Sequence, residues 1–252
     1  MKEVAVVSGA TAGFGKAIAY KLAQNGFDLI ITGRRKDRLD AIASDIQSKF
    51  QVDVLPLCFD VRSEADLHAA FETIPASWKR WTVLINNAGL AVGRDALDQG
   101  VVDDWERMID TNIKGLLYMT RTFVRLMIDN RKGTIVNIGS IAGKEVYPGG
   151  NVYSATKFAV DSLTRSMRID FNAHGIRVGQ VAPGAAETEF SIVRFKGDQE
   201  KADKVYEGFV PLSAEDIAEA VEFIVKRPAH VSISDIVIMP TAQANSTLIN
   251  RE

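Results

Sequence analysis

The stretch VAVVSGATAGFG, residues 4–15, decides the fold. Val4 to Val7 form a short apolar run rich in β-branched residues, which is typical of a strand buried on both faces in a parallel sheet. A glycine-rich segment follows, and Ile18 and Leu22 then continue as the apolar face of a helix. A strand, a glycine turn and a helix in this order predict the first unit of an α/β fold.

Apolar runs and helical patterns alternate along the rest of the chain. The further predicted strands lie at 27–32, 52–59, 83–85, 134–138, 176–181 and 232–239, with helical patterns between them. Because such alternation produces a parallel sheet covered on both faces, we predict an α/β fold with one Rossmann-like, doubly wound sheet of about seven strands. No linker interrupts the pattern, so residues 1–252 are interpreted as one domain. The sizeable irregular insert at 185–211 is interpreted as a substrate lid.

Composition excludes several classes of protein. The 252 residues carry a net charge of −2 and are 46% hydrophobic, so nothing suggests a nucleic acid or an anionic membrane as partner. The N-terminal apolar run is too short for a signal peptide or a membrane span. The single cysteine, Cys58, lies in an apolar run where we expect burial, and its use fits a reducing, cytoplasmic location. His68, His174 and His230 have no metal-ligand spacing, so we expect no metal site.

The glycines of the opening stretch indicate a phosphate-binding turn. Gly9 allows the tight turn, while Gly13 and Gly15 allow a pyrophosphate and the strand to approach the backbone closely. The spacing is GxxxGxG, which differs from the common GxGxxG fingerprint of dinucleotide sites. A generic helix-entry turn is the alternative interpretation.

The end of the second predicted strand indicates which dinucleotide is bound. An NAD site usually has an Asp or Glu there to hold the ribose hydroxyls, whereas this chain has Gly33, Arg34 and Arg35, with no acid until Asp37. A guanidinium fork suits a 2′-phosphate, so we predict NADP as the cofactor. The alternative is that both arginines merely begin a solvated helix.

Tyr153 and Lys157 are four residues apart in a helical pattern, which places both side chains on one face. A phenol has a pKa of about 10, and a nearby ammonium lowers that pKa by stabilising the phenolate. The pair therefore predicts a tuned proton donor and acceptor. A packed tyrosine beside a solvated lysine is the alternative for this motif taken alone.

The motifs, taken together and in order, resemble those of the short-chain dehydrogenases/reductases. They are GATAGFG (9–15), NNAG (86–89), Asn112 in DTNIKG, Ser140 in NIGSIAG, YSATK (153–157) and PG (183–184), and they span essentially the whole chain. The resemblance implies that Ser140 hydrogen-bonds the substrate oxygen and that Tyr153 transfers its proton. It also implies that Lys157 lowers the Tyr153 pKa and holds the nicotinamide ribose. Asn112 would anchor a water that links Lys157 to solvent.

The same resemblance implies the cofactor contacts. Residues 87–89 would line the adenosine side, Asp60 and Val61 would contact adenine, and 183, 184 and 188 would border the nicotinamide. The predicted cofactor-binding residues are Gly9, Thr11, Gly13, Phe14, Gly15, Arg34, Arg35, Asp60, Val61, Asn87, Ala88, Gly89, Tyr153, Lys157, Pro183, Gly184 and Thr188.

A narrower resemblance covers residues 183–199 and the C-terminal tail. These segments are similar to those of NADP-dependent 3-hydroxy acid dehydrogenases, a group with serine and L-allo-threonine dehydrogenases and malonic semialdehyde reductases. Their substrates carry a carboxylate beside the alcohol, so we expect a cation near the reacting carbon. Arg194 and Lys196 in the predicted lid are the candidates, with Ser140 as the further substrate contact. Two surface cations on a mobile lid are the alternative.

Three functions are therefore consistent with the sequence. The first is a hydride-transferring oxidoreductase for small 3-hydroxy acids, and the second is a broad-specificity carbonyl reductase of the same superfamily. The third is a non-catalytic NADP-sensing protein, since a fold alone does not establish a function. The family resemblance also suggests a homotetramer, with the Tyr153 helix and the long helix at 101–130 as contact faces.

Overall fold

The computed structural model describes residues 2–252. Within these residues, one sheet contains seven strands: β1 Val4–Val7, β2 Asp28–Gly33, β3 Val54–Cys58, β4 Trp81–Asn86, β5 Gly133–Ile138, β6 Ile176–Pro183 and β7 Asp235–Ile238. The α-helices are α1 Gly13–Gln24, α2 Lys36–Lys49, α3 Glu64–Glu72, α4 Val102–Ile109, α5 Leu116–Asn130, α6 Asn151–Asn172, α7 Glu189–Arg194, α8 Gln199–Asp203 and α9 Ala214–Val225. None of the helices in this described part is long and apolar enough to cross a membrane.

All neighbouring strands are parallel, and their order is β3-β2-β1-β4-β5-β6-β7. This order confirms the predicted doubly wound fold, because the chain winds outward from β1 in one direction and then from β4 in the other. The strand ends differ from the predicted ones by a few residues. The sixth strand, for example, continues through Pro183 because it pairs with β7 up to Ile238.

Two apolar cores cover the two faces of the sheet. Successive strand residues alternate between them: Val7 and Ile31 belong to the core that includes α1, α2 and α9, whereas Val6 and Ile30 belong to the core on the other face. Because the central strands are buried on both faces, they appear in the sequence as continuous apolar runs rather than alternating ones.

The predicted long helix at 101–130 is three segments on one axis. A π-helix at Asp110–Gly115 separates α4 from α5. Gly115 packs against Val61 there, and a Cβ on it would lie 2.9 Å from the Val61 side chain. Such π-bulges are frequent at functional sites, and this one carries Asn112.

Segment 185–211 and Cys58 are two further places where the structure adds to or changes what the sequence indicates. Segment 185–211 contains the short helices α7 and α8, and Tyr206 braces it by hydrogen bonds with Ser191 (2.6 Å) and the Ala186 carbonyl (2.8 Å). Cys58 is exposed, so the expectation of burial is wrong. It is the last residue of β3, which is one of the two edge strands of the sheet and pairs with β2 only.

The carboxyl ends of β1 and β4 are joined by side chains at the point where the strand order reverses. Ser8 Oγ accepts hydrogen bonds from the backbone N–H groups of Asn87 and Ala88, each at 3.0 Å, and donates to the Ile85 carbonyl at 3.2 Å. Asn87 Nδ2 donates in return to the Ser8 carbonyl at 2.8 Å. Open α/β sheets bind ligands at such a switch point, so this crevice is where a site is expected.

Candidate active site

A cleft of about 330 Å³ opens at this switch point, between the glycine turn, the end of β2 and segment 185–211. Gly9 and Gly13 have φ angles of +67° and +50°, which disfavour any residue with a Cβ. Gly15 lies beneath the turn, and a Cβ there would be 2.3 Å from the Gly9 carbonyl oxygen. The three glycines thus form a shallow cradle at the N-terminus of α1, as a pyrophosphate requires.

Most of the predicted cofactor residues line this cleft. They are Gly9, Thr11, Gly13, Phe14, Arg34, Arg35, Asp60, Val61, Asn87, Ala88, Gly89, Tyr153, Lys157 and Thr188. Gly15 supports the cradle from below, while Pro183 and Gly184 line the adjoining cavity.

The two predicted 2′-phosphate ligands lie at the outer end of the cleft. Arg35 donates through Nε and Nη2 to Thr11 Oγ1, at 3.1 and 2.8 Å, and its Nη1 lies 2.9 Å from Glu189 Oε2. Arg34 Nη1 lies 3.7 Å from Asp60 Oδ2. Arg35 therefore connects the glycine turn with the first residue of α7, and both guanidinium groups are near solvent-exposed space where a phosphate could pair with them.

A second cavity of about 680 Å³ adjoins the cleft. The two share a wall formed by Phe14, Gly139, Tyr153, Thr188 and Phe190. Ser140, at the end of β5, lines the second cavity, and its Oγ accepts a hydrogen bond from the Ala142 N–H at 3.1 Å. A cofactor in the cleft and a substrate in the second cavity would therefore meet at Tyr153.

Tyr153 is buried, and its ring packs against Phe190 with centroids 5.7 Å apart. Burial raises the pKa of its phenol above the usual 10, and the nearby Tyr147 acts in the same direction. The Ser140 hydroxyl and the charge of Arg194 act to lower that pKa but do not outweigh burial. The net effect is a raised pKa, because desolvation of the phenolate dominates in this site, and the lowering of the Tyr153 pKa by Lys157 stays a prediction.

Lys157 lies one turn further along the same face of α6, as the spacing predicts. Its Nζ donates to the Ile138 carbonyl at 2.9 Å and lies 5.9 Å from the centroid of the Tyr153 ring. Burial lowers the pKa of its ammonium from 10.5 to about 8. Near neutral pH the lysine therefore changes charge far more easily than a surface lysine does.

Asn112 connects α4 and α5 with the loop after β4. Its Oδ1 accepts from the Leu90 N–H at 2.8 Å, and its Nδ2 donates to the Leu90 carbonyl at 2.9 Å and to Thr156 Oγ1 at 3.0 Å. A Cβ on Gly89 would lie 3.2 Å from Asn112 Oδ1 and 3.7 Å from Lys157 Nζ, so both groups flank Gly89. Asn112 thus fixes the loop beside the lysine.

Arg194 and Lys196 have different surroundings, although both were predicted to face the substrate. Arg194 lines the second cavity and lies between two aromatic rings, 5.3 Å from the Tyr147 centroid and 5.7 Å from the Tyr153 centroid. Its Nε and Nη2 atoms are buried without a hydrogen-bond partner among residues 2–252. Lys196 turns away from the cavity, and its Nζ lies 2.7 Å from Asp104 Oδ2, so the structure does not bring it to the substrate site.

Comparison with known proteins identifies the family to which this sheet and cleft belong. Residues 3–199 match the model of the short chain dehydrogenase family. The chain belongs to this family.

Three relatives of this short-chain dehydrogenase are informative. It is 46% identical over 242 residues to the NADP-dependent 3-hydroxy acid dehydrogenase YdfG of Salmonella typhi, with 96% of each chain covered. It is 42% identical over 245 residues to sulfoacetaldehyde reductase 2 of Chromohalobacter salexigens, covering 97% of this chain and 96% of the relative. The solved closed form of a serine dehydrogenase complexed with NADP⁺ superposes with a TM-score of 0.92 at 42% identity, covering 99% of this chain and 100% of the other.

Three residues of the site escaped the sequence analysis. Glu189 pairs with Arg35 and also with Arg38 (2.7 Å), although it is more than 150 residues away in the chain. Tyr147 lines the second cavity and stacks on Arg194. Gln243 accepts from the Ala185 N–H at 2.7 Å and so brings the C-terminal tail into the site. No local motif marks these residues, although Tyr147 lies only six positions before Tyr153.

The lowered pKa of Lys157 predicts a pH-dependent contribution to stability. Between about pH 8 and 10.5 the unfolded lysine keeps a proton that the native lysine has lost, so the free energy of unfolding of the wild type should rise with pH relative to Lys157→Met. A pKa difference of this size corresponds to about 3 kcal/mol. Urea unfolding of both proteins without cofactor, at a series of pH values, measures the difference; a difference that is flat across this range contradicts the assignment.

Proposed function

We propose that this short-chain dehydrogenase transfers a hydride between NADP(H) and a small 3-hydroxy acid, or its carbonyl form. Serine, L-allo-threonine and 3-hydroxypropionate are substrates of this class. The observation that carries the proposal is the position of Arg194, a cation in the same cavity as Tyr153 and 5.7 Å from its ring. The names of the relatives support the reaction and the cofactor, since they include an NADP-dependent 3-hydroxy acid dehydrogenase and an NADP⁺ complex of a serine dehydrogenase.

The cleft fits NADP in shape and charge. Its glycine cradle accommodates a pyrophosphate, and Arg34 and Arg35 at the outer end suit a 2′-phosphate. In our proposal residues 60, 61 and 87–89 hold the adenosine, while Lys157, Pro183, Gly184 and Thr188 hold the nicotinamide half. When bound, NADP⁺ accepts the hydride from the alcohol carbon of the substrate.

In our proposal the side chains around the reacting carbon have separate roles in proton transfer. In the direction of oxidation, the Tyr153 phenolate accepts the alcohol proton, while Ser140 hydrogen-bonds the same oxygen and holds it near the phenol. Burial opposes the phenolate, so positive charge near the ring is needed, and Arg194 and protonated Lys157 supply it. Asn112 holds Gly89 and the adjoining loop next to Lys157, and we assign it the water-linked path from the lysine to solvent.

Arg194 recognises the carboxylate of the substrate in this proposal. Guanidinium forks bind carboxylates through two parallel N–H groups, and the buried Nε and Nη2 of Arg194 are a pair of that kind. The guanidinium carbon lies 5.3 and 5.7 Å from the ring centroids of Tyr147 and Tyr153, so cation–π attraction favours its position in the cavity. A neutral alcohol would leave these N–H groups unsatisfied, which disfavours it.

The lining of the second cavity favours one alternative. Apolar side chains such as Ile141, Phe190 and Ile249 line part of it, and they would also accept an uncharged substrate. A broad-specificity NADPH-dependent carbonyl reductase of the same superfamily is therefore the second candidate. A purely NADP-sensing role is not favoured, because Ser140, Tyr153 and Lys157 are all present at one site.

The family resemblance supports a further proposal about assembly and location. We propose one NADP-binding domain over residues 1–252, with 185–211 as its substrate lid, in a cytoplasmic homotetramer. Exposed apolar side chains on the two long helices support the contact faces, with Leu117 on α5 and Phe158 and Ile169 on α6. Ile169 alone is 79% exposed. Sedimentation equilibrium at micromolar concentration measures the mass of the assembly directly.

Replacement of Tyr153 by Phe tests the proton-transfer step. The ring and its packing against Phe190 remain, so NADPH affinity and melting temperature should stay near wild-type values. The loss of the hydroxyl should lower kcat with a 3-hydroxy acid at least 100-fold, in line with general acid–base catalysis. Steady-state absorbance at 340 nm and NADPH fluorescence titration measure the two effects, and turnover within a factor of a few of the wild type would defeat the assignment.

Replacement of Arg194 by Ala tests acid recognition. With 3-hydroxypropionate, KM should rise roughly 10- to 100-fold, as expected for a lost charge-assisted hydrogen bond of about 1.5–3 kcal/mol. With methyl 3-hydroxypropionate, which keeps the alcohol and lacks the charge, KM should change less than about 3-fold. Arg194→Lys keeps the charge without the fork and should give an intermediate KM. Equal changes for acid and ester would favour the broad-specificity reductase.

Replacement of Arg35 by Gln tests the 2′-phosphate assignment. The preference for NADP⁺ over NAD⁺, measured as the ratio of their Kd values, should fall about 10- to 100-fold because one charge-assisted contact is lost. Arg38→Gln is the matched control, since Arg38 also pairs with Glu189 but does not line the cleft. If both variants shift the ratio equally, the Glu189 contact rather than the phosphate accounts for the effect.

A further inference from the structure

The segment that follows α7 is attached to the helix after the β4 loop by an ion pair. Lys196 Nζ lies 2.7 Å from Asp104 Oδ2, and the Asp104 side chain is only 5% exposed. Asp104 lies in the first turn of α4, and Arg107 on the next turn is a second, more distant cation at 3.8 Å. A carboxylate buried this deeply requires a cation, and Lys196 is the nearer of the two.

A backbone contact lies directly beside this ion pair. The Gly93 N–H donates to the Arg194 carbonyl at 3.0 Å, which ties the last residue of α7 to the loop after β4. Gly93 has a φ of +74°, and a Cβ on it would lie 3.3 Å from Asp104 Oδ2. The same carboxylate oxygen therefore lies beside the glycine that holds Arg194 and pairs with Lys196, which follows Arg194 by two residues.

Lys196 lies in the turn that ends α7. Its φ is +55°, in the left-handed region that commonly terminates helices, and Gly197 continues the turn with a φ of +93°. The N–H groups of Lys196 and Gly197 donate to the Val193 and Ile192 carbonyls at 3.1 and 2.9 Å. The Lys196 side chain leaves this turn beside Asp104, whereas Arg194 lines the cavity.

We propose that Asp104 and Lys196 are positioning residues for Arg194. They hold the end of α7 so that the Arg194 guanidinium stays between the rings of Tyr147 and Tyr153, where it meets a substrate carboxylate. The inference rests on the proposed function, because it assigns a role through the acid-binding arginine. It replaces the direct substrate contact predicted for Lys196 with an indirect one.

The test is Lys196→Met in the full-length enzyme at saturating NADP⁺. KM for 3-hydroxypropionate should rise about 3- to 10-fold, and KM for its methyl ester should be unchanged, whereas any change in kcat should be the same for both substrates because both use Tyr153. Lys196→Arg keeps the cation and should restore at least half of the lost acid preference. Lys49→Met is the matched control, because Lys49 is also about half exposed (56%), pairs with Asp45 at 2.8 Å, and lies on α2 away from the cavity. An unchanged KM for the acid in Lys196→Met would overturn the proposal.

A double variant separates positioning from a general loss of order. If Lys196 acts through Arg194, adding Lys196→Met to Arg194→Ala should raise KM for 3-hydroxypropionate by less than 2-fold more. A full multiplicative increase would mean an independent role and would overturn the proposal. Asp104→Asn is a second route to the same broken pair and should match Lys196→Met, with the melting temperature reporting whether the fold is kept. If Arg194→Ala itself leaves the acid preference intact, the proposed substrate class fails first, and the positioning role fails with it.

Discussion

The junction of β1 and β4 is the constraint on which the site depends. A doubly wound sheet separates its two halves at the switch point, and here the Ser8 hydroxyl and the Asn87 amide join the separated ends. Asn87 Nδ2 also reaches the Gly9 carbonyl at 3.2 Å, so the glycine turn is held by the neighbouring strand as well as by its own helix. The glycine turn that would hold a pyrophosphate is consequently in place before any ligand binds. A preorganised backbone loses less conformational entropy on binding, so more of the interaction free energy contributes to affinity.

Burial controls the chemistry at the other end of the crevice. Tyr153 and Lys157 lie on one face of α6, and desolvation acts on them in opposite senses, raising the pKa of the phenol and lowering that of the ammonium. Each shift favours the neutral form, so the folded protein alone does not stabilise a phenolate. The charges that change this balance lie beside the ring: Arg194 at 5.7 Å and, when protonated, Lys157 at 5.9 Å from its centroid. Proton transfer by the Tyr153 phenol therefore depends on the charges of Arg194 and Lys157 beside its ring.

The sequence was sufficient for the fold because its signals were local. Continuous apolar runs, glycine stops and helical periodicity marked the strands and most helices, and most of the predicted cofactor residues line one cleft. Local sequence signals could not show that Arg194 and Lys196 have different partners. Both are cations in one short segment, and Lys196, in the turn that ends α7, pairs with Asp104, a residue 92 positions earlier. The exposure of Cys58 could not be predicted for a related reason, because an apolar run does not distinguish an edge strand from a central one.

Helix α7 connects the two ends of the crevice. Glu189 at its first residue pairs with Arg35 and Arg38 beside the cleft, while Arg194 at its last residue lines the cavity and is tied through its carbonyl to Gly93. A helix of six residues has little internal hydrogen bonding, so its direction is set by these end contacts rather than by its own stability. In the proposed function, an NADP phosphate at Arg35 and a substrate carboxylate at Arg194 would therefore lie at opposite ends of the same short helix, whose position depends on the contacts of Glu189 and of the Arg194 carbonyl.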